Sequence, residues 1–153
     1  MLNSRSARIA IAASLLTAVS SMAMAKTCDV TIEGDDRMKF DKAEIAVAAD
    51  CTEVNLTLKH AGKLPVAAMG HNWVLTETSA FQAVATAGAS AGPAANYVPK
   101  GDARVLAHTK LVGGGESTSI KFSTAALKKG GDYTFFCSFP GHWAVMKGKF
   151  KFE

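Results

Sequence analysis

Three residues that could share one metal ion fall within ten positions of each other near the C-terminal end of the chain. In Phe135 to Gly148 (FFCSFPGHWAVMKG), Cys137, His142 and Met146 are spaced Cys-x4-His-x3-Met. Pro140-Gly141 forces a turn that folds His142 back toward the thiol, and Met146 opens the next strand. A second imidazole, His71, lies in Met69 to Trp73 (MGHNW). Two imidazoles, a thiolate and a thioether form a mixed soft and borderline donor set. Thiolate and thioether suit Cu(I), and imidazole suits both oxidation states. The set is that of a trigonal copper site with a distant axial thioether, which passes single electrons.

Other chemistries for these residues are less well served. A zinc hydrolase needs an open fourth position and a general base. Met146 occupies that direction, and no Asp or Glu adjoins either ligand segment. A Cys137 nucleophile with His142 as base lacks an orienting Asn or Asp. A copper-delivery module would need a more open site. A cuproenzyme fragment would need a second metal site, for which the four histidines leave no evident set.

Cysteine usage and the first residues place the chain outside the cytoplasm. Arg5 and Arg8, an apolar run from Ile9 to Val19, and Ala23-Met24-Ala25 read as a secretory leader over 1–25. The run is too short to span a bilayer, so no membrane span is expected once the leader is gone. Removing it takes two positive charges off the formal +4. The remaining charge is unclustered, which disfavours nucleic acid as a partner. Three cysteines stay in residues 26–153, and in an oxidising compartment two would pair. Cys28 and Cys51 lie together in the N-terminal stretch and are expected to pair, leaving Cys137 as the single thiol.

The elements around these residues are mostly strands. Alternation marks Cys28–Gly34, Ala43–Ala48, Val54–Lys59, His71–Thr76, Ser117–Phe122, Tyr133–Cys137 and Lys147–Phe152. One Ala-rich segment, Thr78–Ala91, suits a short helix. Gly62–Pro65 and Gly92–Asp102 read as loops, and Gly113–Gly115 and Gly130-Gly131 as turns. The chain is long enough for one domain. This pattern predicts an all-β sandwich or barrel of Greek-key type with one inserted helix.

The motifs MGHNWVL (Met69–Leu75), RVLAHTKLVGGGES (Arg104–Ser117) and YTFFCSFPGHWAVMKG (Tyr133–Gly148) resemble the azurins, bacterial blue-copper cupredoxins. The likeness runs through essentially all of residues 26–153. It implies an eight-stranded Greek-key β-sandwich and one bound copper ion. His71, Cys137 and His142 would be strong ligands, Met146 a weak axial one, and the Gly70 carbonyl a weak contact from the other side. Asn72 and Phe139 would offer backbone N–H groups to the Cys137 sulfur. The Cys28–Cys51 spacing also matches the family's disulfide.

The resemblance further implies a periplasmic monomer that catalyses no reaction on a substrate. It would make weak, transient contacts with redox proteins such as c-type cytochromes or periplasmic reductases. Electrons would cross the exposed edge of His142. An apolar patch of Met38, Leu64, Met69, Phe139 and Pro140 would surround that edge. Trp143, where the family pattern has a small residue, would enlarge or partly cover the patch. His60 would lie near the copper, partly buried, with a titration coupled to redox state, and His108 would lie on the surface.

Overall fold

The computed structural model describes residues 25–153, so the expected leader lies, except for Ala25, outside the described residues. Nine strands are formed there: β1 (Thr27–Asp35), β2 (Lys39–Phe40), β3 (Glu44–Val47), β4 (Glu53–His60), β5 (Val74–Glu77), β6 (Ala107–His108), β7 (Ser117–Ser123), β8 (Tyr133–Phe136) and β9 (Lys147–Phe152). They make two sheets, ordered β2-β1-β4-β7 and β3-β9-β8-β5-β6. Two pairings are parallel, β1 with β4 and β3 with β9, so the chain crosses between sheets rather than meandering.

The sheets face each other because their strands are apolar on that side. Ile32, Val54, Leu56 and Leu58 of one sheet meet Ile45, Val47, Leu75, Phe135, Phe150 and Phe152 of the other, all buried in one cluster. Trp73 lies at the centre with no exposure, 5.9 Å from Phe122 and 6.1 Å from Phe135 between ring centroids. It is a core residue, as its alternation with Leu75 predicts. The disulfide Cys28–Cys51 forms at the N-terminal edge of this core. Closing a loop of that size stabilises by about 3 kcal/mol.

The second sheet is buried on both faces at one end, because an insertion between β5 and β6 covers its outer side. A 3-10 turn at Thr78–Ala80 leads into α2 (Phe81–Ala91). Val84 and Ala85 of α2 pack with Val74, Val98 and Phe136 in a second cluster. Tyr133–Phe136 is therefore buried at every position instead of alternating. Gly88 makes the covering close: a Cβ there would collide with the Tyr97 carbonyl.

The expected elements are found with shifted ends. The largest shift concerns His71–Thr76. The strand starts at Val74, and His71 is held by an isolated bridge to Val112. Three short elements carried no pattern: β2, β6, and the one-turn α1 (Val66–Met69) between Pro65 and Gly70.

Candidate metal centre

His71, Cys137 and His142 come together, all buried, at one end of the sandwich. Cys137 directly follows β8. Its N–H donates to the Met146 carbonyl at 3.0 Å, across the loop that leads into β9. Within that loop Gly141 adopts φ +82°, a left-handed conformation that turns the chain so that His142 faces the thiol. His142 Nδ1 lies 3.6 Å from Cys137 Sγ, and His71 Nδ1 lies 3.9 Å from it. One ligand atom from each residue lies within 4.8 Å of the others. Among the described residues this is the one His, Cys, Asp and Glu group with that geometry.

His71 is fixed from both ends. Its backbone exchanges hydrogen bonds with Val112, and its Nε2–H donates to the Asp35 carbonyl at 2.8 Å. That bond places the ring proton on Nε2 and leaves the Nδ1 lone pair pointing into the site. There Nδ1 faces the Gly70 carbonyl oxygen at 3.1 Å, and the same oxygen lies 3.8 Å from Cys137 Sγ. Two lone pairs thus converge on a sulfur whose S–H is the one proton among them, and a cation is the group that fits in its place.

The surroundings keep the donors unprotonated except at sulfur. Burial pushes the His142 imidazole down to about 4, with His71 and His60 nearby adding to the effect. It lowers His71 as well, opposed by the hydrogen bond to Asp35. Burial pushes the Cys137 thiol up to about 12, opposed by hydrogen bonds from the Asn72 and Phe139 backbones. A buried thiol beside two neutral imidazoles becomes a thiolate when a positive ion shares the site. Cu(I) and Cu(II) suit this donor set, and the residues present fit copper.

The structure places His60 as buried rather than partly buried, with two further refinements among the surrounding residues. Met146 is fully buried, and its Cε lies 2.7 Å from where a Cβ on Gly34 would stand, with His71 Cδ2 at 2.8 Å. A Cβ there would have to displace the Met146 methyl or the His71 ring, so Gly34 belongs to the site although nothing in its sequence context marked it. His60 stacks on His71 at 4.2 Å. Its Nδ1 accepts from Gly62 N–H, and its Nε2–H donates to the Met69 carbonyl. His108 is exposed.

Around the loop, Met38 and Leu64 are exposed, as are Val66 and Val145, which the sequence reading did not single out. Met69 and Phe139 are partly buried and Pro140 is exposed. The first refinement concerns His142, which keeps only 3% exposure. The Phe139 ring lies 4.6 Å from its own and shelters it. The second concerns Trp143, which is partly buried against Phe81 of α2 at 5.9 Å.

Asn72 ties the two ligand segments together. Its side chain donates to the Asn96 carbonyl and to Ser138 Oγ, and accepts from Ser138 N–H.

Comparison with known proteins agrees with this geometry. A family model described as copper binding proteins, plastocyanin/azurin family, matches residues 26–153. An azurin of Bordetella pertussis is 54% identical over 137 residues, which is 90% of this chain and 91% of that protein. An azurin of Alcaligenes faecalis is 55% identical over 121 residues, 79% of this chain and 94% of that one. Among solved structures, the azurin Az-iso2 from the methylotroph Methylomonas sp. strain J matches with a TM-score of 0.80 at 44% identity. The match covers 82% of this chain and 98% of that one. The sandwich, the buried His-Cys-His trio and these likenesses together make the chain a member of the plastocyanin/azurin family of copper-binding proteins.

Proposed function

We propose that this chain is a periplasmic carrier of single electrons. It binds one copper ion through His71 Nδ1, Cys137 Sγ and His142 Nδ1, with Met146 and the Gly70 carbonyl as weak ligands. The observation that carries this reading is the buried trio of donors, set within 4.8 Å of one another. Copper held there supplies a one-electron Cu(II)/Cu(I) couple.

The protein's own groups set the properties of that couple. The Asn72 and Phe139 N–H groups draw charge from the Cys137 sulfur, which favours the reduced state. His71 is locked by Asp35 and stays in place when the charge of the site changes. Electrons enter and leave through the edge of the His142 ring, where its small residual exposure permits direct contact. Met38, Leu64, Met69, Phe139, Pro140 and Trp143 form the apolar surround. A small patch of this kind gives brief contacts with protein partners, such as c-type cytochromes or periplasmic reductases. The protein works as a monomer, with residues 1–25 removed on export and residues 26–153 forming the single copper domain. It carries out no reaction on a substrate. No helix among the described residues is long and apolar enough to cross a membrane.

The test is a Cu(II) titration of the protein from residue 26 onward beside Cys137→Ser, read by visible absorption and EPR. An intense blue thiolate-to-copper band with narrow hyperfine splitting, absent in the variant, is the expected result. A colourless protein, or a weak band indifferent to Cys137, rejects the reading.

A further inference from the structure

The loop between Cys137 and Met146 takes its shape from its own backbone. His142 N–H donates to the Phe139 carbonyl, and the Val145 and Met146 N–H groups both donate to the His142 carbonyl. Those bonds close the loop on itself but leave its position against the rest of the molecule to side chains. Besides the hydrogen bonds of Asn72 to Ser138, a group of outward contacts meets on one ring. Phe81, the first residue of α2, meets Phe136 edge to face at 4.9 Å and Trp143 edge to face at 5.9 Å. The ammonium of Lys147 lies 5.0 Å from its centroid. Phe136, Trp143 and Lys147 each stand one position from Cys137, His142 and Met146. One aromatic ring therefore touches the neighbour of every ligand-type side chain on this segment.

The same insertion grips the other shoulder of the loop. Tyr97 packs edge to face on Phe139 at 5.3 Å, and Phe139 lies against His142. Phe81 is not needed merely to seat the helix, because Val84, Ala85 and Gly88 are its buried anchors. Phe81 itself is only partly buried.

We propose that Phe81 is a positioning residue for the metal centre. Through Trp143 and Phe136 it holds His142 and Cys137 at their observed spacing and limits how far the loop opens. This inference rests on the copper reading above, but its first test needs no metal. The large residue at 143 is then the outer half of a brace as well as part of the apolar surround.

Backbone hydrogen exchange of the metal-free protein reads the brace directly. The proteins compared are wild type, Phe81→Ala, Phe81→Leu, Phe81→Tyr, Trp143→Ser and the Phe81→Ala/Trp143→Ser pair. In Phe81→Ala the Val145 and Met146 amides exchange about threefold to tenfold faster, the range expected for one or two lost aromatic pairs. Amides of β4 stay at the wild-type rate. Phe81→Tyr restores protection because it keeps the ring. Adding Trp143→Ser to Phe81→Ala changes nothing more, because the contact is already gone. If Phe81→Ala does not fold, Phe81→Leu, which keeps bulk but loses the ring, is read in the same way. Equal acceleration in β4 and the loop, or none in either, overturns the proposal.

With Cu(II) bound, Phe81→Ala widens the hyperfine splitting and Phe81→Tyr does not. If wild type shows no Cys137-dependent band, the copper reading fails and the exchange data still judge the brace. If wild type shows the band and Phe81→Ala matches wild type in both measurements, the brace alone is rejected.

Discussion

His71 and His142 present the same ring nitrogen to the same sulfur, at 3.9 and 3.6 Å, yet they are held in different ways. His71 has no exposure, a backbone bridge to Val112, a hydrogen bond from its far nitrogen to Asp35, and a stacked partner in His60. The far nitrogen of His142 has no protein partner among the described residues. Its ring is set by a turn and by the Phe139 face. One imidazole is oriented by polar bonds that tolerate little displacement. The other is oriented by packing under the Phe139 ring and keeps only 3% exposure. The two ligand-type rings therefore differ in what fixes them more than in how deeply they are buried.

The strongest way to break this contrast is to cut the side chain that joins its halves. Asn72→Ala leaves the Ser138 N–H and the Asn96 carbonyl without partners. At about 1–3 kcal/mol for each orphaned group, denaturant unfolding is expected to show a loss of about 3 kcal/mol or more. Both halves should loosen together, so a normal EPR spectrum in this variant would contradict the link.

Acid should act mainly on the packed half. An unfolded imidazole titrates near 6.5, and His142 in the fold sits at about 4. Between these values the unfolded chain takes up a proton that the native one refuses. Stability of the metal-free protein is therefore complete above pH 6.5 and falls as pH drops toward 4. The loss across that window amounts to about 2–3 kcal/mol. Unfolding midpoints measured from pH 7 to 4 on wild type and His142→Gln check the sign: the variant's curve should be flatter.

Gly34→Ala tests the polar half more gently. The new methyl must push either the Met146 methyl or the His71 ring, at a cost of about 1–3 kcal/mol. Because His71 is fixed by Asp35, Met146 is expected to yield. The visible spectrum of the copper form should then change more than the folding midpoint does. An unchanged spectrum would mean that the backbone of β1 moved instead.

Much of this was legible in residue order, for reasons that vary along the chain. Val54–Lys59 announces its strand because one face is buried and the other wet. Cys137, His142 and Met146 announce themselves because the loop is local and their types are unusual together. What stayed hidden depends on groups without residue identity or on distant pairs. The Asp35 carbonyl that orients His71 is backbone, which any residue would supply. α1 has no capping side chain to mark it. β2 and β6 are two-residue strands that exist only through their pairing with β1 and β5. Trp143 stood out as unusual, but its contact with Phe81 joins segments far apart in sequence.

The place of β9 also bears on the order in which the molecule is made. This last strand is the one that joins β3 to β8, pairing in parallel with the first and antiparallel with the second. The metal-binding loop immediately precedes it. Until the final residues have docked, His142 and Met146 are tethered on one side only and the three donors do not converge. A chain in which β9 has not docked therefore carries the donors without the pocket that gathers them. Assembly of this pocket thus belongs with the non-local strand pairing of the sheet rather than with the local turn that carries Cys137 and His142.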